Sequence, residues 1–362
     1  MRYQLQFIPH TLLFKFNART SRGAITEHRV YYLQVWEQGK PEIKGTGECA
    51  PLAGLSIDHR PELEQKLQQL CQLVNDGAAA LADAAGALQV DELELEAWPA
   101  VRFALETALL DLQQGGRNRI YNNSFSRGES GIPINGLIWM GDKSFMQEQI
   151  KQKLREGFTC LKLKIGSLDF ATELEILENI RRTASAAELT VRVDANGAFQ
   201  PEGAFRKLER LARYELHSIE QPIRQGQAEQ MAQLCAYTPV PVALDEELIG
   251  VHRQEEKTAL LEQIKPQYII LKPTLAGGLA ASAQWIELAE TRGIGWWVTS
   301  ALESNIGLNA ISQFTGNYPV TMPQGLGTGQ LYHHNIVSPL QIAQGELWYR
   351  QEQEWGSLPI SG

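Results

Sequence analysis

Five short apolar segments each close on a charged residue, and those charges recur at a nearly constant interval: Lys164, Asp194, Glu220, Asp245 and Lys272. Successive differences between these numbers are 30, 26, 25 and 27. Each step is about the length of one strand, one helix and two turns. A parallel β/α arrangement uses that length per strand. In a closed barrel it returns every strand's carboxyl end to one rim, where barrel active sites lie.

The surrounding pattern agrees. Strands are expected over 132–135, 160–165, 190–194, 218–220, 242–245, 268–272, 295–299 and 322–325. Amphipathic helices are expected over 145–156, 171–184, 201–214, 228–236, 252–265 and 279–292. Such alternation predicts an α/β fold with a parallel barrel. A dinucleotide-binding open sheet is disfavoured, because no GxGxxG opens the first strand–helix turn. Gly277-Gly278 reads as an ordinary loop rather than a phosphate cradle.

Upstream, the texture is α+β. Segments 3–16 and 29–36 are rich in strand formers, with a polar loop over 17–23 between them and a glycine-dense loop over 45–56. A helix is expected from Pro61 to Asn75, then partly helical chain over 76–97. A second helix over 99–114 is apolar on nearly every side, as suits a helix between two units, and Gly115-Gly116 ends it. The tail, 341–362, is expected to return to this first unit. With 362 residues the chain has room for both units.

Composition narrows the function. A net charge of −9 argues against a nucleic-acid or anionic-membrane partner. Cys49, Cys71, Cys160 and Cys235 form no CxxC pair, so neither a zinc knuckle nor a disulfide framework is expected. The first residues lack the apolar core of a signal peptide, and no apolar run is long enough to span a bilayer. A cytoplasmic protein acting on a small molecule is the expectation.

Strand alternation locates the chemistry. In Cys160-Leu161-Lys162-Leu163-Lys164, the leucines would face outer helices and both lysines the barrel interior. Buried cations are costly, so an inward pair implies a functional partner. Asp194, Glu220 and Asp245 supply carboxylates on three consecutive strands. A set of oxygen donors without histidine suits Mg2+ and argues against zinc. Asp245 is followed by Glu246 and Glu247. Alternation would put Asp245 and Glu247 on one face, so spacing leaves the third ligand open. Lys272 would face the other two lysines across the mouth, with a pKa lowered by nearby cations.

Lys-x-Lys, Asp194-Ala195-Asn196, Glu220-Gln221-Pro222, Asp245-Glu246 and Lys272-Pro273-Thr274, at these intervals, resemble the enolase superfamily in its muconate-lactonizing subgroup. The likeness extends to residues 101–112. It implies a (β/α)7β modified TIM barrel over 126–335 and an α+β capping domain over 1–125, joined by 336–362. It also implies Mg2+, with Mn2+ as a substitute, held by Asp194, Glu220 and Asp245. Lys164 would be the base, Lys162 its electrostatic partner, and Lys272 the group on the opposite face. Asn196 and Glu246 would support the ligands, and Asn135 and Asn196 would line the substrate pocket.

Within the subgroup, residues 298–304 and 325–329 resemble the o-succinylbenzoate synthase family. That implies metal-dependent syn-dehydration of a succinyl-hydroxycyclohexadiene carboxylate, a menaquinone precursor. The Ser300 and Ala301 N–H groups would hold the succinyl carboxylate, and 17–23 and 45–56 would cap the pocket. Rival readings are a dipeptide epimerase or N-acylamino-acid racemase using the same lysines, a Schiff-base aldolase, and a non-catalytic barrel. A homo-oligomer is compatible with all of them.

Overall fold

The structure, a computed structural model, describes residues 2–20, 23–83 and 86–359. The chain opens on an antiparallel sheet of β1 (Tyr3–Thr20), β2 (Gly23–Glu37) and β3 (Gly45–Cys49), in that order. The hairpin is longer than expected. Residues 17–20, read as loop, continue β1 after a register shift between Leu13 and Ala18. Gly23, the last residue of that expected loop, opens β2, and Ser21 and Arg22 lie outside the described residues.

Two helices cover this sheet, α1 (Leu63–Asn75) and α2 (Pro99–Gln113). Leu63, Leu67, Leu70 and Val74 of α1 pack with Leu5, Leu33 and Val35. Among the described residues of 76–97, only a 3-10 turn, Val90–Leu93, is helical. α2 is buried on almost every side, as its sequence predicts. Val101, Ala104, Leu105 and Ala108 face the sheet, whereas Phe103 belongs to the core of the second unit. β3 crosses α2 so closely that a Cβ at Gly45 or Gly47 would collide with the Ala108 or Ala104 carbonyl.

The second unit is the barrel. Its parallel strands are β5 (Gly136–Ile138), β6 (Cys160–Lys164), β7 (Thr190–Asp194), β8 (Ser218–Glu220), β9 (Val242–Leu244), β10 (Tyr268–Leu271) and β11 (Gly295–Val298), paired in sequence order. The helices between them are α3 (Lys143–Arg155), α4 (Phe170–Thr183), α5 (Pro201–Leu211), α6 (Ala228–Tyr237), α7 (Gln254–Ile264), the short α8 (Pro273–Ala276), and α9 (Leu279–Glu290). α10 (Asn305–Thr315) follows β11. Asp142 and Asp169 cap α3 and α4 by accepting backbone N–H bonds.

Two expectations for the barrel ends are corrected. The first barrel strand is β5, not 132–135: β4 (Ile132–Pro133) instead pairs antiparallel with a C-terminal hairpin, β12 (Leu340–Ala343) and β13 (Glu346–Tyr349). The eighth strand, expected over 322–325, shrinks to single bridges, Ile134–Gln324 and Thr299–Gly325. Those bridges still close the ring. Gly325 N donates to Val298 O on one side, and Asn135 N donates to Gln324 O on the other. The tail divides: Leu347 and Tyr349 join the barrel core, and Trp355 and Leu358 pack against the cluster holding Leu12 and Phe14 of β1. Among the described residues no helix is long and apolar enough to cross a membrane.

Candidate active site

The strand register builds the site. β6 and β7 pair Lys162 with Arg192 and Lys164 with Asp194, and β7 and β8 pair Asp194 with Glu220. Leu161, Leu163 and Ile165 go outward into the main core, which turns both lysines inward. Asp245 stands at the end of β9, and Lys272 follows β10. Lys162, Lys164, Asp194, Glu220, Asp245 and Lys272 therefore reach one rim, with Arg192 a layer below.

There they interlock. Lys162 Nζ lies 3.2 Å from Asp194 Oδ2 and pairs with Glu220 Oε2. Lys164 Nζ donates to Asp194 Oδ2 at 2.9 Å and to Asn196 Oδ1 at 2.8 Å. Lys272 Nζ pairs with Asp245 Oδ2. Burial disfavours the charged form of Asp194, but Lys162 and Lys164 outweigh it and hold the carboxyl well below the usual range. Glu220 goes the other way: burial and the neighbouring Asp194 push it up to about 8.

The expected lowering of the Lys272 pKa is not found. Burial pulls it down, yet Asp245 and Glu220 more than compensate and the net shift is upward. Lys162 is raised for the same reason, with Asp194 and Glu220 as its partners.

Asn196, in left-handed backbone at φ 43°, donates its N–H to Asp194 Oδ1 and its amide to Glu246 Oε1. Gln221, also left-handed, is buried and braces the next strand. Its Oε1 accepts from Asp245 N and Glu247 N, and its Nε2 donates to Glu247 Oε2 at 3.0 Å. This corrects the ambiguity after Asp245. A 3-10 turn, Glu246–Leu248, breaks strand alternation. Glu247 then points at Gln221 and Gly226 N rather than sharing a face with Asp245.

Among the described residues, no three of the acidic side chains are drawn around a common point, because lysine ammoniums stand between them. The residues nonetheless fit a divalent cation. Glu220 Oε1 is buried with no hydrogen-bond partner among the described residues, and every donor is a hard oxygen. Asp194, Glu220 and Asp245 are the groups that could hold it.

A cavity of about 90 Å³ opens beside the lysines. The expected loop 45–56 is shorter, since Gly45–Cys49 is β3; Leu52 and Leu55, in the segment that follows, line the cavity from the capping side, and Asn135, Leu137, Trp139 and Thr328 form a wall. Asn135 Oδ1 is buried there without a partner among the described residues. Ser300 and Ala301 line the cavity, but their N–H groups are already engaged. Ser300 N donates to Gly325 O in the closing bridge, and Ala301 N donates to Glu303 at 2.8 Å. The expected carboxylate cradle from those two N–H groups is therefore corrected.

Sequence reasoning missed the carboxylates that shape this loop. Glu303 is buried and accepts from Ser300 Oγ, Ala301 N and the Thr274 hydroxyl, next to Lys272. Glu48 of β3 reaches across and accepts from Ser304 N and Gly307 N at 2.7 Å each. His28 of β2 bridges Pro51 O and Leu302 O. The available signal was an acid inside Gly/Ser-rich apolar stretches, Gly47-Glu48-Cys49 and Leu302-Glu303-Ser304. Arg192, one layer below Asp194, was missed too; it lies buried 4.0 Å from the Trp297 ring centroid.

Residues 145–353 match the enolase C-terminal domain-like family. An o-succinylbenzoate synthase of Desulfotalea psychrophila is 48% identical over 365 aligned positions, covering 95% of this chain and 98% of that protein. The crystal structure of MenC from the same organism superposes with a TM-score of 0.85 at 45% identity, covering 96% and 100% of the two chains. A dipeptide epimerase from Enterococcus faecalis, complexed with Mg and the dipeptide L-Leu-L-Tyr, superposes with a TM-score of 0.80. At 17% identity over 98% of each chain, that likeness speaks for the fold alone.

Proposed function

The chain belongs to the enolase superfamily, and from that premise we propose that it is the lyase that dehydrates 2-succinyl-6-hydroxy-2,4-cyclohexadiene-1-carboxylate to 2-succinylbenzoate. The observation that carries this reading is the full-length likeness to an o-succinylbenzoate synthase together with three inward lysines against three carboxylates at one rim.

Asp194, Glu220 and Asp245 would hold Mg2+, or Mn2+ in its place. When bound, the cation supplies positive charge beside the substrate carboxylate as negative charge develops there. Lys164, in its neutral form, takes the proton α to the carboxylate, and the C–H electron pair moves into the carboxylate as an enediolate. The Lys164 ammonium then returns that proton to the departing hydroxyl on the same face. The C–O bond breaks, water leaves and the ring becomes aromatic. One residue serves both steps because syn elimination puts the proton and the hydroxyl on one side.

Asn196 orients Lys164 through its 2.8 Å contact. Lys162 and Lys272 keep the developing charge balanced from below and from the opposite face. Leu52 and Leu55 limit water above the ring. Asn135, with an unpartnered oxygen in the wall, contacts the substrate.

Lys272 separates this reading from epimerisation, since lysines on two faces also suit α-proton exchange. The test is Lys272→Ala with both substrate classes. Dehydration by one lysine predicts that Lys272→Ala keeps the Lys164-dependent exchange of the α-proton of N-succinyl amino acids with solvent deuterium. If the protein instead epimerises dipeptides and leaves the cyclohexadiene intact, the dehydratase reading is wrong.

A further inference from the structure

Glu303 is fully buried, and among the described residues its carboxylate is met by hydroxyls and N–H groups and by no Lys, Arg or His side chain. Burying a carboxylate without a countercharge is costly, and an apolar side chain would fill the same space at less cost. The arrangement points to a task of position rather than of packing.

The strand ends show what that task is. β10 and β11 run side by side up to Leu271 and Val298, and Thr299 N donates to Leu271 O at 2.8 Å. Beyond that bond no ladder pair joins the two chains among the described residues. Ser300 N turns to Gly325 O on the other side, and Lys272 O accepts from Leu275 N and Ala276 N within its own turn. Lys272 and the segment 299–302 both line the lysine pocket, so they leave the ladder where their relative position matters most.

Glu303 spans this gap. Its Oε1 accepts from the Thr274 hydroxyl, two residues past Lys272, and its Oε2 accepts from Ser300 Oγ and from Ala301 N at 2.8 Å. Ser300 Oγ accepts in turn from Thr328 Oγ1 at 2.8 Å, which ties the segment after the eighth strand to the same carboxylate. Thr274, Ser300 and Thr328 are themselves buried, so water does not compete for these bonds. All three partners of the carboxylate donate, and an ionised carboxylate is the side chain that only accepts. Thr274 lies in α8, the short turn that folds back onto the Lys272 carbonyl, so a shift of Thr274 carries Lys272 with it.

We propose that Glu303 is a positioning residue for the reaction: through Thr274 it fixes Lys272 against the 299–302 wall, and through Ser300 it fixes that wall against Thr328. The use that the chemistry makes of Lys272 rests on the dehydratase reading above; the clamp itself does not.

The test uses four variants: Thr274→Val, which keeps the shape and removes the hydroxyl, Thr274→Ser, which keeps the hydroxyl, Glu303→Gln, and Thr274→Val combined with Glu303→Gln. Values of kcat and KM are measured on protein whose far-ultraviolet circular dichroism matches the parent, and Tm is recorded for each. Thr274→Val is expected to lower kcat roughly tenfold or more, with KM within about twofold of the parent, because a misplacement of about 1 Å costs up to about a hundredfold in rate. Thr274→Ser keeps the parental kcat. Glu303→Gln lowers kcat as well, and adding Thr274→Val to it costs at most about a further twofold, since both cut one strut. Parental kcat in Thr274→Val, with or without a fall in Tm, would make Glu303 a packing group and overturn the proposal. So would a change confined to KM, a Thr274→Ser protein as impaired as Thr274→Val, or losses that multiply in the double variant. A parent protein that exchanges the α-proton of N-succinyl amino acids but leaves the cyclohexadiene intact defeats the dehydratase reading instead. The same four variants, read by exchange, then still decide the clamp.

Discussion

Lys164 shows how much one side chain can carry. Its Nζ touches both Asp194 and Asn196 and lines the cavity beside Lys162 and Lys272. Lys164→Ala is expected to lower kcat by about a thousandfold or more, at the upper end of what one general acid–base contributes. Far-ultraviolet circular dichroism should be unchanged. Asp245→Ala is expected to weaken Mg2+ binding in calorimetry at least about tenfold, and to leave Lys272 without its carboxylate. The lysines and the carboxylate trio were legible because strand alternation sorts each segment into inner and outer faces. The engagement of Ser300 N and Ala301 N was not, because their acceptors, Gly325 O and Glu303, are set by barrel closure and a buried turn.

Glu48 makes a pH prediction at the same scale. Burial pushes its pKa up to about 7, although the Ser304 and Gly307 bonds pull the other way. The folded state then binds this proton more tightly than the unfolded chain does. Its contribution to stability is full below about pH 4.5 and is lost as pH rises through about 7. Urea unfolding across that window should show a shallower decline for Glu48→Gln than for the parent protein. Equal slopes would contradict the assignment.

Among elements, α2 is the hinge of the design. Its Glu106 carboxylate accepts from Leu279 N at 2.7 Å and Ala280 N at 2.9 Å, so a helix of the first unit caps α9 of the barrel. It fills the space above Gly277-Gly278 where an anion would otherwise sit. Glu106→Ala is expected to cost about 1–3 kcal/mol in urea unfolding, because the buried Leu279 N–H and the partly buried Ala280 N–H lose their acceptor. The helices with one apolar face were legible to within a few residues. α10 was not, because Ile306 to Thr315 are all buried and give no amphipathic rhythm. The first and eighth barrel strands were misplaced for a related reason. Their residues pair with the C-terminal hairpin and through single bridges, and nothing in their local composition encodes those distant partners.

At the scale of the molecule, the barrel carries the lysines and the carboxylate trio, and the antiparallel unit supplies Leu52 and Leu55 over the cavity and the buried acid that fixes the loop after β11. The division of labour was legible from the change of texture near residue 132. The contacts between the two units, through Glu48, His28 and Glu106, join positions more than 150 residues apart and could be found only in the folded chain. If the account is right, chemistry depends on both the lysine set and a divalent cation. The most direct measurement is the loss of ultraviolet absorbance of the cyclohexadiene precursor on adding purified protein, with Mg2+, with EDTA, and with Lys164→Ala. The account predicts fast loss with Mg2+ that EDTA stops and readdition restores, and none with the variant. Equal rates in EDTA, or an active Lys164→Ala protein, would contradict it.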